Sequence, residues 1–95
     1  MNKKMLQQMQ KNLEKKMQEA QQFEVTAESG AGLVKVTVKG DNSITKIDLD
    51  DSLLEEDKEI IEDLISAAAN KALKEIEEKK QSHMGNMMGG LNGLF

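Results

Sequence analysis

Lysine is the residue type in this 95-residue chain whose number and spacing could support a chemical function. The chain has 13 basic residues, all of them lysines, and a net charge of -4. Residues 1–22 nevertheless hold five lysines against two glutamates, a local charge of +3. An ammonium group is a compact point charge that suits anion binding. The pattern indicates either an anion-binding arm or a solvated helix face; its lysines are Lys3, Lys4, Lys11, Lys15 and Lys16.

The other charged groups do not form a catalytic or metal-binding pattern. Residues 48–63 carry nine acids against Lys58, a balance of -8, and their spacing matches no calcium loop. The chain has no cysteine and one histidine, His83, which has no charged partner in sequence and is predicted to lie at the surface. We therefore expect no enzyme, metal site or cofactor, and interpret the acids as a capped, solvated helix start.

A short glycine segment could be taken for a nucleotide-binding loop. Gly30, Ala31 and Gly32 lack the third glycine of a dinucleotide fingerprint, and no GK[ST] follows. The segment stands between two runs with alternating apolar residues, so it predicts a hairpin turn.

Hydrophobic periodicity predicts the elements that carry these residues. Val34, Val36 and Val38 alternate with polar residues, which is typical of a strand with one buried face. Period 2 begins near Phe23, and Gly40 to Asn42 predict a second turn. The fold class is therefore α+β, helix-strand-strand-strand-helix, with an antiparallel sheet and two long flanking helices. We predict helices at 2–22 and 56–81 and strands at 23–28, 33–39 and 43–49.

The remaining chain ends in a Met/Gly-rich segment, 84–95, predicted to be a flexible tail after a single domain at 1–83. No apolar run approaches the ~20 residues of a membrane span, so we expect no membrane association. The absence of cysteine suits the cytoplasm.

The composition predicts dimerisation. Only 38% of residues are hydrophobic, and there are two Phe but no Trp or Tyr, so one copy has a thin core. A second copy is the simplest remedy. The residues expected in the core or dimer interface are Val34, Val36, Val38, Ile47, Leu49, Ile61, Leu64, Ile65 and Ala68.

The chain resembles the YbaB/EbfC family of bacterial nucleoid-associated proteins. The resemblance covers nearly the whole chain and depends on the block GAGLVKVTVKGDNSITKIDLDDSLL, the helix EEDKEIIEDLISAAANKALKEIEEK, the Met/Gln-rich first helix and the Met/Gly tail. It implies an intertwined, tweezer-like homodimer in the cytoplasm and nucleoid that binds double-stranded DNA with little sequence preference, without catalysis or a small-molecule substrate. It also implies that the first helix and the late second helix of both copies form the prongs of the tweezers.

Together these observations predict lysine-phosphate contacts from seven residues: Lys3, Lys4, Lys11, Lys15, Lys16, Lys79 and Lys80. Lys35, Lys39 and Lys46 on the outer sheet face form a second candidate patch. The alternative function is a protein-interaction adaptor or chaperone-like dimer that uses the Met-rich tail.

Overall fold

The chain folds as a helix, three antiparallel strands and a helix, as the sequence predicts. The computed structural model describes the backbone of residues 2–92 and the side chains of residues 2–85. The elements are α1 (Lys3–Gln21), β1 (Glu24–Ser29), β2 (Val34–Lys39), β3 (Ile44–Leu49), a short 3-10 helix (Asp51–Glu55) and α2 (Lys58–Asn92). The sheet order is β1-β2-β3.

Both ends of the predicted second helix are wrong. It begins at Lys58 rather than 56, because residues 51–55 form a separate 3-10 turn that buries Leu53. It continues to Asn92 rather than stopping near 81. Glycine weakens a helix by about 1 kcal/mol but, unlike proline, removes no hydrogen-bond donor. The flexibility of 84–95 stays a prediction, and residues 93–95 lie outside the described residues.

The core lies between one face of the sheet and α2. Val34, Val36 and Val38 are fully buried beneath α2. Ala68 and Ala72 are small, so the backbone of α2 can approach the sheet, and Ile76 is also fully buried. The hydroxyl of Ser29 donates to the Leu64 carbonyl at 2.6 Å and fixes α2 against β1. Ile61, Leu64 and Ile65 are partly buried around this core.

A β-bulge in β3 aligns its apolar residues. Ile47 and Leu49 pair with Val36 and Val34, but Thr45 has no partner, so Ile44 pairs with Val38. Directly paired residues in a sheet share a face. The bulge therefore places Ile44, Ile47 and Leu49 in one row on the valine side of the sheet. Every residue of β3 is nevertheless exposed, because α2 packs over β1 and β2. Within this single chain Ile47 and Leu49 are not core residues, and their predicted role at a dimer interface stays a prediction.

The molecule is elongated. Its radius of gyration is 18.7 Å, against about 12 Å for a compact domain of this length. The difference comes from α1 and the distal half of α2, which extend beyond a sheet of six-residue strands.

Candidate nucleic-acid interface

Helix α1 forms an arm that is nearly free of the rest of the chain. Asn2 caps its start, since the Asn2 side chain accepts a hydrogen bond from the Met5 amide at 2.9 Å. Ala20 is its one buried residue, and its contacts with the remainder of the described structure lie near its C-terminal end. The lysines of α1 are therefore presented to solvent on a helix anchored at one end.

Three of the five α1 lysines share one face, which we call the basic face: Lys4, Lys11 and Lys15. A helix turns about 100° per residue, so these three positions fall within about 40° of one another. The apolar stripe of α1 lies about 180° away. The arm thus has one cationic side and one apolar side, and the apolar stripe consists of Leu6, Met9, Leu13 and Met17.

Lys3 and Lys16 lie off the basic face. Lys3 is about 100° away around the helix, and Lys16 about 120° away, beside the apolar stripe. The Lys16 amine lies 3.9 Å from a carboxylate oxygen of Glu19, and both side chains are about 44% exposed. Such a surface pair is weak. Lys16 is still the least available of the five amines.

Lys79 and Lys80, the two α2 lysines predicted to contact DNA, have different surroundings in the structure. Lys79 is exposed, and its amine lies 5.0 Å from the centre of the Phe23 ring. Lys80 is largely buried by contacts with the β2–β3 turn: its amine donates to the Gly40 carbonyl (2.9 Å), the Asn42 side chain (2.7 Å) and Glu77 (2.9 Å). An ammonium group has three donors, and Lys80 uses all of them within the chain.

The outer face of the sheet is balanced in charge. Lys35 stands between Glu28 and Asp48 on the neighbouring strands, and Lys39 stands opposite Glu24. With Lys46, three lysines face three acids there. This face therefore does not concentrate positive potential as the basic face of α1 does.

Several acids serve local structure. The Asp50 carboxylate accepts hydrogen bonds from the side chain and amide of Ser52, which lower the pKa of Asp50 and cap the 3-10 helix. The Ser43 hydroxyl and amide likewise lower the pKa of Asp41. Over residues 2–85 no group of three potential ligands is arranged to hold a metal ion.

His83 does not lie fully at the surface as the sequence predicts, because its side chain is only 20% exposed. Its Nε2 atom lies 3.6 Å from a carboxylate oxygen of Glu19, and its ring meets Phe23 edge-on with centroids 5.0 Å apart. Sequence reasoning missed this contact because Glu19 and His83 are 64 positions apart and no local pattern links them.

The model of the YbaB/EbfC DNA-binding family matches residues 1–91. The chain belongs to this family. The resemblance seen in the sequence is thereby confirmed, and the family supports a DNA-binding, nucleoid-associated and non-enzymatic role for this YbaB/EbfC protein.

A solved structure supports the fold of this YbaB/EbfC chain. The crystal structure of the uncharacterized protein HP0035 from Helicobacter pylori is similar to it, with 30% sequence identity and a TM-score of 0.68. The match covers 87% of this chain and 98% of the Helicobacter pylori chain. Within residues 2–92, neither helix contains a segment apolar enough to traverse a bilayer.

Proposed function

We propose that this chain binds double-stranded DNA as a homodimer, mainly through lysine-phosphate contacts with little sequence preference. One observation carries the proposal: Lys4, Lys11 and Lys15 share one face of an exposed arm, opposite its apolar stripe. Lys3, about 100° from this face on α1, and the exposed Lys79 on α2 are secondary candidates for contact. Lys16 and Lys80 are less suited to the role, because both amines have partners within the chain.

Phosphates are better targets than bases for this surface. Lysine lacks the planar fork with which arginine reads guanine edges, and the chain contains no arginine. Its two aromatic residues do not provide a platform for stacking single-stranded bases. Contacts of this kind release counterions, so affinity should depend steeply on salt and only slightly on sequence.

Dimerisation is supported by apolar surface that the single chain leaves exposed. The stripe on α1 and the row on β3 are 38–54% exposed, whereas the valines of β2 are fully buried. Contiguous apolar patches of this kind mark interaction surfaces. A second copy would cover them symmetrically and double the number of basic faces.

The deciding experiment is a titration of duplex DNA at several salt concentrations. The triple variant Lys4→Gln, Lys11→Gln, Lys15→Gln should bind more weakly and with a smaller salt slope. With about 0.9 counterions released per contact, six lost contacts per dimer would lower the slope by about 5.

A matched control removes the same charge from the balanced sheet face: Lys35→Gln, Lys39→Gln, Lys46→Gln. This variant should retain most of the affinity and slope. Equal losses in the two triple variants would show that only net charge matters, and wild-type protein that fails to bind at low salt would refute the proposal.

We further propose that binding of this kind places the protein on the nucleoid, where it affects DNA organisation and gene expression. Weak sequence preference would distribute it along the chromosome. Fluorescence microscopy should show wild-type protein on the nucleoid and the α1 triple variant spread through the cytoplasm. A tagged wild-type protein that is excluded from the nucleoid would contradict this localisation.

A further inference from the structure

The β2–β3 turn connects both helices to the sheet through a single residue, Gly40. Its amide donates to the Phe23 carbonyl at 2.9 Å, just after the end of α1. Its carbonyl accepts from the Lys80 amine of α2 at 2.9 Å. One peptide position is therefore bonded to the root of the α1 arm on one side and to α2 on the other.

Contact between α1 and this turn is close. A Cβ atom added to Gly40 would lie 1.8 Å from the Ala20 carbonyl oxygen and 2.8 Å from the Gln21 Cα. The last turn of α1 thus rests directly on the Gly40 backbone. The position of this turn therefore constrains the last turn of α1.

Lys80 holds the other side of the turn. Its amine bonds to the Gly40 carbonyl and to the Asn42 side chain, while Glu77 on the same helix supplies the third acceptor. Asn42 adopts φ of 66°, a left-handed conformation that the turn requires. Loss of the amine would remove the two hydrogen bonds that Lys80 makes to the turn.

We propose that Lys80 is a positioning residue for DNA binding: it fixes the β2–β3 turn and thereby the angle between the α1 arm and α2. It acts through Gly40 and does not contact phosphate. The inference depends on the proposed DNA binding and deepens it, because it assigns one of the seven predicted lysines a different role.

Two variants separate positioning from direct contact. Lys80→Met removes the amine, while Asn42→Gly keeps every charge and suits the positive φ but deletes one acceptor of the tie. If Lys80 positions the arm, both variants weaken DNA affinity, Asn42→Gly by about 3- to 10-fold. Its salt slope should also fall by about 1, although no lysine has been lost, because misplaced arms engage fewer phosphates.

The matched control is Lys74→Met, which removes one exposed lysine from the same helix. It should lower affinity less than Lys80→Met and leave the arm unchanged. If Lys80 instead contacts phosphate, Asn42→Gly frees its amine, and affinity and slope stay the same or rise. That result, or unchanged binding by both tie variants, would overturn the inference.

A distance measurement reads the arm directly. The chain has no cysteine, so spin labels can be placed at Gln10→Cys on α1 and Asn70→Cys on α2, with excess unlabelled chain to isolate the distance within one copy. Lys80→Met and Asn42→Gly should broaden or shift this distance, and Lys74→Met should not. An unchanged distance in both tie variants would also overturn the inference.

These experiments can refute the role of Lys80 without refuting the proposed DNA binding. Wild-type protein that does not bind DNA refutes the proposed function. Wild-type protein that binds, with Asn42→Gly unaffected, refutes the role of Lys80 alone. If Lys80→Met does not fold, Asn42→Gly still decides.

Discussion

At the residue scale, the close approach of backbone to Gly40 explains why a glycine stands in the β2–β3 turn. Its φ is not among the positive values, so the requirement is space rather than backbone conformation. Gly30 and Gly32, in the β1–β2 turn, are different, since φ is 61° and 92° there. The same residue type meets two separate physical demands.

Substitution of Gly40 by alanine should destabilise the fold, because the Ala20 carbonyl blocks the new Cβ. We expect a loss of about 2 kcal/mol or more in the free energy of unfolding, measured by urea denaturation. The control is Gly85→Ala on α2, where nothing lies within 4 Å. That change should instead stabilise the protein, by up to about 1 kcal/mol. Equal effects of the two changes would contradict this interpretation of Gly40.

Acid should loosen the same turn. Hydrogen bonds from Lys80, and then from Asn42, lower the pKa of Glu77, and the Ser43 hydroxyl lowers that of Asp41. A lowered carboxyl pKa contributes stability that is present above the ordinary value of about 4 and is lost as pH falls through the folded-state pKa.

The urea midpoint should therefore be steady from pH 7 to 5 and fall below about pH 4. Glu77→Gln should reduce the size of this fall. An equally large acid effect in Glu77→Gln would exclude Glu77 as a contributor.

At the element scale, the sequence predicts features that depend on neighbouring residues better than features that depend on contacts between distant parts of the chain. Alternation at Val34, Val36 and Val38 places β2 within one residue, and helical spacing is sufficient to find the basic face of α1. The helix end at Asn92 was missed because local glycine content outweighed the absence of proline. Contacts across the fold, such as Lys80 with Gly40, leave no local periodicity, so lysines of different roles look alike in sequence.

The row on β3 gives an element-scale test of dimerisation. Ile47→Gln should weaken the proposed dimer, since each copy loses about 2 kcal/mol of apolar burial, and should scarcely affect the fold of one chain. Lys46→Gln changes the neighbouring residue, on the opposite face, and should leave association unchanged. Sedimentation velocity over a range of concentrations measures both. Equal dissociation of the two variants would contradict an interface on the valine side of the sheet.

At the scale of the whole molecule, the acidic residues and the lysines of α1 lie in different regions. Residues 48–63 give the centre of the chain a strong negative charge, whereas α1 carries its lysines away from it. The Debye length at physiological salt is about 8 Å, shorter than an arm of 19 residues. The acidic centre therefore repels DNA little at the distal arm, which explains how a protein with net charge -4 can present a cationic surface.

The bulge at Thr45 determines which length changes β3 can accept. Deletion of Thr45 would make the β2–β3 ladder regular and leave Ile44 opposite Val38, on the valine side. Deletion of Asp48 would instead move Ile47 opposite Lys35, on the charged side, and break the apolar row. We expect the first deletion to be tolerated far better than the second, although both positions are exposed.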